Sequence, residues 1–183
     1  MLFRSTLEAN ANITVSNSIF VSGSSLQPLV SGTAQAATSG TSIDFTGIPS
    51  WVKRITLMLS AVSTSGASFP LIQLGTGNVA NTSGYTTLSA AFTSNASGVS
   101  TSTAGFIIRN SAGGTGVVYG HLILTNISGN VWVGSGTFMD TQDNRQMFSA
   151  GQGSLTGTLN MVRFTTVNGT DTFDAGSVNI MYE

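Results

Sequence analysis

Four long segments of this 183-residue chain alternate apolar and polar side chains with a period of two, which is the pattern of a half-buried β-strand. In the first of them, Ile55, Leu57 and Leu59 fall on the same face. The segments are Arg54–Ser60, Gly120–Asn126, Leu159–Thr165 and Ser177–Tyr182. Strong helix formers are scarce, since the chain contains one Lys and two Glu. The pattern therefore predicts strands and little or no helix.

Shorter segments with strand-like composition lie between turn residues that recur every 8–15 positions. They are Ile13–Val21, Ser42–Phe45, Phe69–Leu74, Thr86–Phe92, Gly105–Arg109 and Val131–Met139. About ten short strands predict an all-β fold of the sandwich or barrel kind. We expect an antiparallel β-sandwich, jelly-roll-like, with a short N-terminal arm.

Two turns are predicted to close hairpins. Asn168-Gly169 would join residues 162–167 to residues 170–173, because Asn-Gly favours the type I′ turn, which needs positive φ at both central residues. Ser128–Asn130 would join the strand that ends near Ile127 to the strand that begins at Val131.

A domain boundary is predicted near residue 31, where ten consecutive positions hold almost only small residues. Residues 1–30 are interpreted as an N-terminal arm or docking segment, and residues 31–183 as the β-sandwich domain. The alternative is one continuous domain.

Charged residues make up only 7% of the chain, against roughly 25% in an average globular protein. Six Lys and Arg cannot neutralise a row of phosphates, which argues against a nucleic-acid partner. The longest mostly apolar stretch, Ile55–Val62, is far shorter than the ~20 residues of a membrane span, and no secretory signal is recognised, so no membrane partner is expected. The absence of Cys excludes disulfides and Cys-bound zinc.

Strand edges carry little protection against pairing with another chain. Charged residues and Pro at the edge of a sheet usually prevent pairing with another chain. This chain has one Lys, five Arg and three Pro for about ten predicted strands. With a net charge of −1, the chain also has little electrostatic repulsion between copies. We therefore expect a homo-oligomer. The alternative is that loops cover the edges while Ser, Thr and Asn solvate the faces.

Catalytic candidates are few, and we expect no enzyme activity, no catalytic residue and no cofactor. His121 is the single His and lies within a strand, where a packed, hydrogen-bonded role is commoner than a catalytic one. Asp171 and Asp174 flank a turn and are interpreted as turn-stabilising carboxylates, although a pair of carboxylates is also what glycoside hydrolysis needs.

The segment that contains Asp140, Asp143 and Asn144 could offer oxygen ligands to Ca²⁺. Its spacing does not follow the calcium-loop pattern, so a solvated loop is the preferred interpretation and no metal site is predicted.

Five aromatic side chains could stack on sugar rings, because each has a flat apolar face and a polar atom. Residues of this kind more often belong to a core or an interface, so the receptor-binding residues stay unknown. The five are Trp51, Tyr85, Tyr119, Trp132 and Tyr182.

Two segments resemble segments that recur in virion proteins of tailed bacteriophages. Ser39–Thr56 reads SGTSIDFTGIPSWVKRIT and is similar to a stretch of tail-fibre-like and uncharacterised particle proteins. The C-terminal residues from Leu155 to Glu183, which include VRFTTVNGTDTFDAGSVNIMYE, are similar to the end of the same family. Together the two segments bracket residues 31–183.

This resemblance implies a non-enzymatic structural protein on the external surface of a phage virion, commonly a homotrimer. A short tail fibre or receptor-binding tip would dock to other virion proteins of the tail, baseplate or capsid through residues 1–30 and contact a host-surface glycan. Because few residues precede the domain, a capsid decoration or cement (head-fibre) protein is the alternative. A glycan-degrading tailspike-type enzyme is disfavoured by the shortage of acid and base residues.

Overall fold

The computed structural model describes residues 20–21, 24–25, 27–108, 116–142 and 144–183. Strands account for 63% of the structure and no helix occurs in the described residues. All strand pairs are antiparallel, and two sheets enclose the core. The prediction of an all-β antiparallel β-sandwich is thus confirmed, while the jelly-roll path stays a prediction.

Sixteen strands are defined within these residues. They are β1 (Phe20–Val21), β2 (Ser24–Ser25), β3 (Val30–Ser31), β4 (Gln35–Ala36), β5 (Ser42–Thr46), β6 (Arg54–Thr64), β7 (Pro70–Thr76), β8 (Val79–Ala80), β9 (Tyr85–Phe92), β10 (Ser97–Ser102), β11 (Phe106–Ile107), β12 (Val118–Ser128), β13 (Val131–Asp140), β14 (Arg145–Ser154), β15 (Leu159–Thr166) and β16 (Phe173–Tyr182).

The larger sheet has nine strands in the order β10-β9-β14-β13-β12-β6-β16-β3, with β4 also paired to β16. The smaller sheet has five strands in the order β11-β7-β15-β5, with β8 also paired to β7. Leu57 and Leu122 from the larger sheet and Ile72 and Phe164 from the smaller sheet are completely buried between them. The period-two alternation of β6 is confirmed, since Ile55, like these residues, faces the core.

Hydroxyl groups from the larger sheet cross the core and bond to the backbone of the smaller one. The Tyr85 hydroxyl accepts a hydrogen bond from the Leu74 N–H (2.7 Å) and donates one to the Leu74 carbonyl (3.1 Å). Thr87 donates to the Gly105 carbonyl, and Ser149 donates to the Ile107 carbonyl. Burial raises the pKa of Tyr85 to about 12, although the hydrogen bond with the Leu74 backbone acts in the opposite direction.

The hairpin predicted at Asn168-Gly169 is wrong. β15 ends at Thr166 in the smaller sheet, and β16 begins at Phe173 in the larger sheet, so the turn connects the two sheets instead of two paired strands. Gly169 has a positive φ of 68°. The Phe173 ring, stacked on Phe164 at 5.1 Å, accounts for the crossing because it brings the start of β16 into the core.

The hairpin predicted at Ser128–Asn130 is confirmed. β12 and β13 pair along their whole length on either side of this turn, in which Gly129 adopts a φ of 49°. A β-bulge lies between Asn126 and Ser128, next to the turn.

The predicted arm lies mostly outside the described residues. Of Ile13–Val21, only β1 is described, and it pairs with β2. Just before the predicted boundary, Val30 pairs with Tyr182 of β16, and beyond it the Gly32 N–H donates to the Ile180 carbonyl at 2.7 Å. The division at residue 31 stays a prediction.

Candidate functional surface

His121 lies on β12 with its side chain toward solvent, on the side of the larger sheet that faces away from the core. The expectation of a packed His is therefore wrong. Its cross-strand neighbours are Thr137 of β13 and Met58 of β6. Neither carries the carboxylate that orients the imidazole in a catalytic triad.

Asp140 is completely buried at the end of β13, where its Oδ1 accepts a hydrogen bond from the Gln142 N–H at 3.0 Å. Asn144 is exposed and has a positive φ of 48°, and Asp143 lies outside the described residues. Within the described part of the chain, no group of three or more His, Cys, Asp or Glu side chains could hold a metal ion. The solvated-loop interpretation is therefore wrong for Asp140, whose buried carboxylate stabilises the turn after β13.

The two carboxylates considered for glycoside hydrolysis belong to different hydrogen-bond networks. Asp171 accepts from the Ser68 N–H (2.9 Å) and from the Asn168 side-chain amide (2.7 Å). Asp174 accepts from the Ser63 hydroxyl. Asp171 therefore stabilises the connection between β15 and β16, as predicted. The same prediction is wrong for Asp174, which lies within β16 and bonds across to β6 in the larger sheet.

The aromatic candidates separate into buried and exposed side chains. Tyr85 and Trp132 are only 3% exposed, so their rings cannot stack on a sugar. Trp51 and Tyr182 are half-buried and pack on each other with ring centroids 6.0 Å apart. Tyr119, 38% exposed, is the most accessible of the five and projects from the same side of β12 as His121.

Most of the exposed large apolar side chains of the described residues lie on that side of the larger sheet. We call the solvent-facing side chains of β10, β9, β14, β13 and β12 the outer face. Seven apolar or aromatic side chains on it are between 36% and 59% exposed. They are Leu88, Phe92, Val99, Tyr119, Val133, Met139 and Phe148.

The strand register brings these side chains together. Phe148 of β14 lies opposite Ala90 of β9, and Ala90 lies opposite Val99 of β10. The Phe92 and Phe148 rings meet edge to face with centroids 6.1 Å apart. These side chains form an apolar cluster flanked by polar ones, since Thr137 lies opposite Phe148 and Gln146 lies opposite Phe92.

The outer face carries almost no charge. No solvent-facing position of these five strands holds Asp, Glu, Lys or Arg, and the one His among these positions is His121. A shallow depression of about 210 Å³ between Ile123 and Val133 is also lined mainly by apolar atoms.

The opposite side of the sandwich is different. On the smaller sheet, Arg163 of β15 holds Asp44 of β5 through two hydrogen bonds of 2.7 Å, and this raises the pKa of the Arg163 guanidinium. Gln73 of β7 lies on the same side and donates to the Ala104 carbonyl. Polar groups are therefore paired on this side, whereas the outer face offers apolar atoms.

Sequence reasoning did not identify the outer face. In β9 it is the more polar residues, Thr87 and Ser89, that are buried, while Leu88 and Phe92 point to solvent. The alternation was visible in the sequence, but nothing local indicated that the apolar side would face outward.

No helix in the described ranges is long and apolar enough to cross a membrane. Comparison with family models, with curated proteins and with solved structures found no match to this chain.

Proposed function

We propose that this chain is a non-enzymatic structural protein of a bacteriophage virion, displayed on the external surface of the particle as a homotrimer. In this proposal it serves as a short tail fibre or receptor-binding tip, attached through residues 1–30. Several copies on one particle would convert weak contacts with a host-surface glycan into firm attachment.

The observation that carries the proposal is the placement of the two segments that resemble phage virion proteins. Residues 39–56 supply β5 and the start of β6, and residues 155–183 supply β15 and β16. β5 pairs with β15 in the smaller sheet, and β6 pairs with β16 in the larger one. Two segments separated by about a hundred residues thus form one folded unit, as expected if the resemblance reflects a shared fold and not composition alone.

Two ion pairs among the described residues also connect these two segments. Asp44 of the first segment pairs with Arg163 of the second, and Arg54 of the first pairs with Glu183 of the second at 3.2 Å. In a chain with so few charges, this placement supports a unit whose two halves belong together.

A non-enzymatic role is supported by the hydrogen bonds of the candidate acids. Asp171 bonds to groups in the connections between the sheets, and Asp174 bonds to Ser63 of the neighbouring strand β6. We expect the full chain to release no reducing sugar from host polysaccharide. Release that disappears in the Asp171→Asn or Asp174→Asn variant would contradict the non-enzymatic proposal.

The decisive experiment locates the protein on purified particles by electron microscopy with a gold-labelled antibody. Label at the tail or baseplate would support the fibre or tip. Label over the shell would support the capsid decoration or cement protein instead, and absence from particles would refute both. Competition tests host attachment, since an excess of the full chain should reduce phage adsorption to host cells, whereas heat-denatured chain should not.

A further inference from the structure

We infer that copies of this chain associate through the outer face, with Phe148 at the centre of the contact. This inference rests on the proposed function, because it identifies the surface that a homotrimer would use.

In β9 and β14 several large apolar side chains point away from the core, while Tyr85 and Met147 face it. Leu88, Phe92 and Phe148 are each almost half exposed, while Thr87 and Ser149 face inward. Burial of apolar surface is the main force in folding, so such an orientation costs free energy in an isolated subunit.

The buried hydroxyls of Thr87 and Ser149 both have hydrogen-bond acceptors, so their inward orientation leaves these polar groups paired. Thr87 donates to the Gly105 carbonyl at 2.7 Å, and Ser149 donates to the Ile107 carbonyl at 2.8 Å. A slip of one residue would bury Leu88 and Phe148 but expose Tyr85, Met147 and these hydroxyls, and it would leave the two carbonyls without these donors. Leu88, Phe92 and Phe148 are therefore fixed toward solvent, where a second molecule can cover them.

The size of the outer face suits a protein partner. Five strands spaced about 4.8 Å apart, with lengths of up to about ten residues at about 3.3 Å each, cover roughly 700 Å². A stable protein–protein interface buries about 800 Å² on each partner. Central aromatic side chains such as the Phe92 and Phe148 pair are typical of the residues that dominate binding energy.

The charge of the outer face favours a second copy over other partners. A surface without Lys or Arg has no group with which to attract nucleic acid or an anionic membrane. Two such faces, in contrast, meet without repulsion between like charges. A second copy of this chain therefore fits the surface better than a charged partner.

The inference is tested with the Phe148→Glu variant, which places a charge at the centre of the outer face. Val167→Glu is the matched control, because Val167 is equally apolar and 53% exposed but follows β15, away from the outer face. Sedimentation equilibrium of the full chain should show at least a 30-fold weaker association for Phe148→Glu and an unchanged one for Val167→Glu. Oligomers of Phe148→Glu as stable as those of the unmodified chain would overturn the inference.

A second measurement does not depend on whether Phe148→Glu folds. The chain has no Cys, so Thr137→Cys introduces a single thiol into the outer face, at a position that is already polar and exposed. We expect its alkylation to be at least about tenfold slower in the oligomer than in a dilute monomer, whereas the exposed Val79→Cys should react equally fast in both. Equal rates for Thr137→Cys, or protection only when other virion proteins are added, would overturn self-association through this face.

The outcomes for the surface and for the function are distinguishable. An oligomer that Phe148→Glu does not weaken would reject this surface and leave the virion role intact. Absence of the protein from particles would reject the virion role, even if Phe148→Glu abolished association.

Discussion

Replacement of Tyr85 by Phe removes one oxygen atom from the contact between the two sheets. The Tyr85 hydroxyl is the hydrogen-bond acceptor of the Leu74 N–H, and Leu74 is completely buried. The Leu74 carbonyl also accepts from the Asn81 N–H at 2.9 Å, so it keeps a partner in the variant. The N–H loses the phenolic acceptor, and an unpaired buried donor costs about 1–3 kcal/mol. We expect Tyr85→Phe to lower the free energy of unfolding by about 2 kcal/mol near pH 8.

The same replacement should change the pH dependence of stability. The pKa of Tyr85 is about 12 in the folded chain and 10.0 in the unfolded one. Between these values the unfolded chain releases the phenolic proton while the folded chain retains it, so stability is complete below pH 10 and falls as the pH rises toward 12. Two pKa units correspond to roughly 2.7 kcal/mol. Phe has no phenolic proton to lose, so the stability of Tyr85→Phe does not fall in this way. The difference in the free energy of unfolding between the unmodified chain and Tyr85→Phe should therefore shrink above pH 10.

Urea denaturation followed by Trp fluorescence, at one fixed protein concentration, measures both effects. Tyr119→Phe is the control, since Tyr119 is exposed and its replacement should change stability by less than about 0.5 kcal/mol. The reasoning is refuted if Tyr85→Phe is as stable as the unmodified chain at pH 8, or if the difference between the two is the same at pH 8 and pH 11.

Three further predictions concern side chains with different roles. Arg163→Lys should lower stability by less than about 1 kcal/mol, because Lys cannot make the two-point contact with Asp44 but the pair is one-third exposed. Gly136→Ala should cost about 2–3 kcal/mol, since an added Cβ would overlap the carbonyl oxygen of His121. Calcium or EDTA should leave the Tm unchanged, because the buried Asp140 carboxylate already accepts a backbone N–H.

Each of these predictions has its own check. Arg54→Lys should be neutral in urea denaturation, since its ion pair is about half exposed, and a loss equal to that of Arg163→Lys would contradict the two-point argument. Ser135→Thr, which adds one methyl group at the exposed position beside Gly136, is the control for added bulk, and Gly136→Ala should unfold at a lower urea concentration than Ser135→Thr. A Tm that rises by several degrees with millimolar calcium, measured by calorimetry, would reveal a cation site.

Local pattern was sufficient to predict the central strands. β6, β12 and β16 have one side of large apolar residues and one side of mixed residues, so a period of two determines both the strand and the side that is buried. Ile55, Leu57 and Leu59 are buried for this reason.

The connection after β15 shows where local pattern is insufficient. Asn168-Gly169 does form a turn, and Asn168 Oδ1 accepts the N–H groups of Thr170 and Asp171 at 3.0 and 3.2 Å. A turn signal does not specify the sheet to which the next strand belongs. That choice depends on the contact of Phe173 with Phe164, which no local pattern encodes.

The side of β9 that faces the core could not be predicted for the same reason. Inward placement of Thr87 is favourable because its hydroxyl donates a hydrogen bond to the carbonyl of Gly105, which lies eighteen residues further along the chain. Likewise, the burial of Tyr85 depends on Leu74 of the other sheet. A single sequence did not reveal these partners, and so the outer face became apparent only from the structure.

Folding and association should therefore be coupled in this chain. Around β9 and β14 the interior is held partly by hydroxyl–carbonyl hydrogen bonds, while Phe92 and Phe148 on the outside contribute little to the stability of an isolated subunit. If a second copy covers them, part of the stabilising apolar burial arises only on association. The Tm should then fall by several degrees on 100-fold dilution, as linkage to a binding equilibrium requires, and less so in Phe148→Glu. A Tm that is independent of concentration over this range, in a chain that remains soluble, would mean that the sandwich is stable without a partner and that the exposed aromatic pair serves another contact.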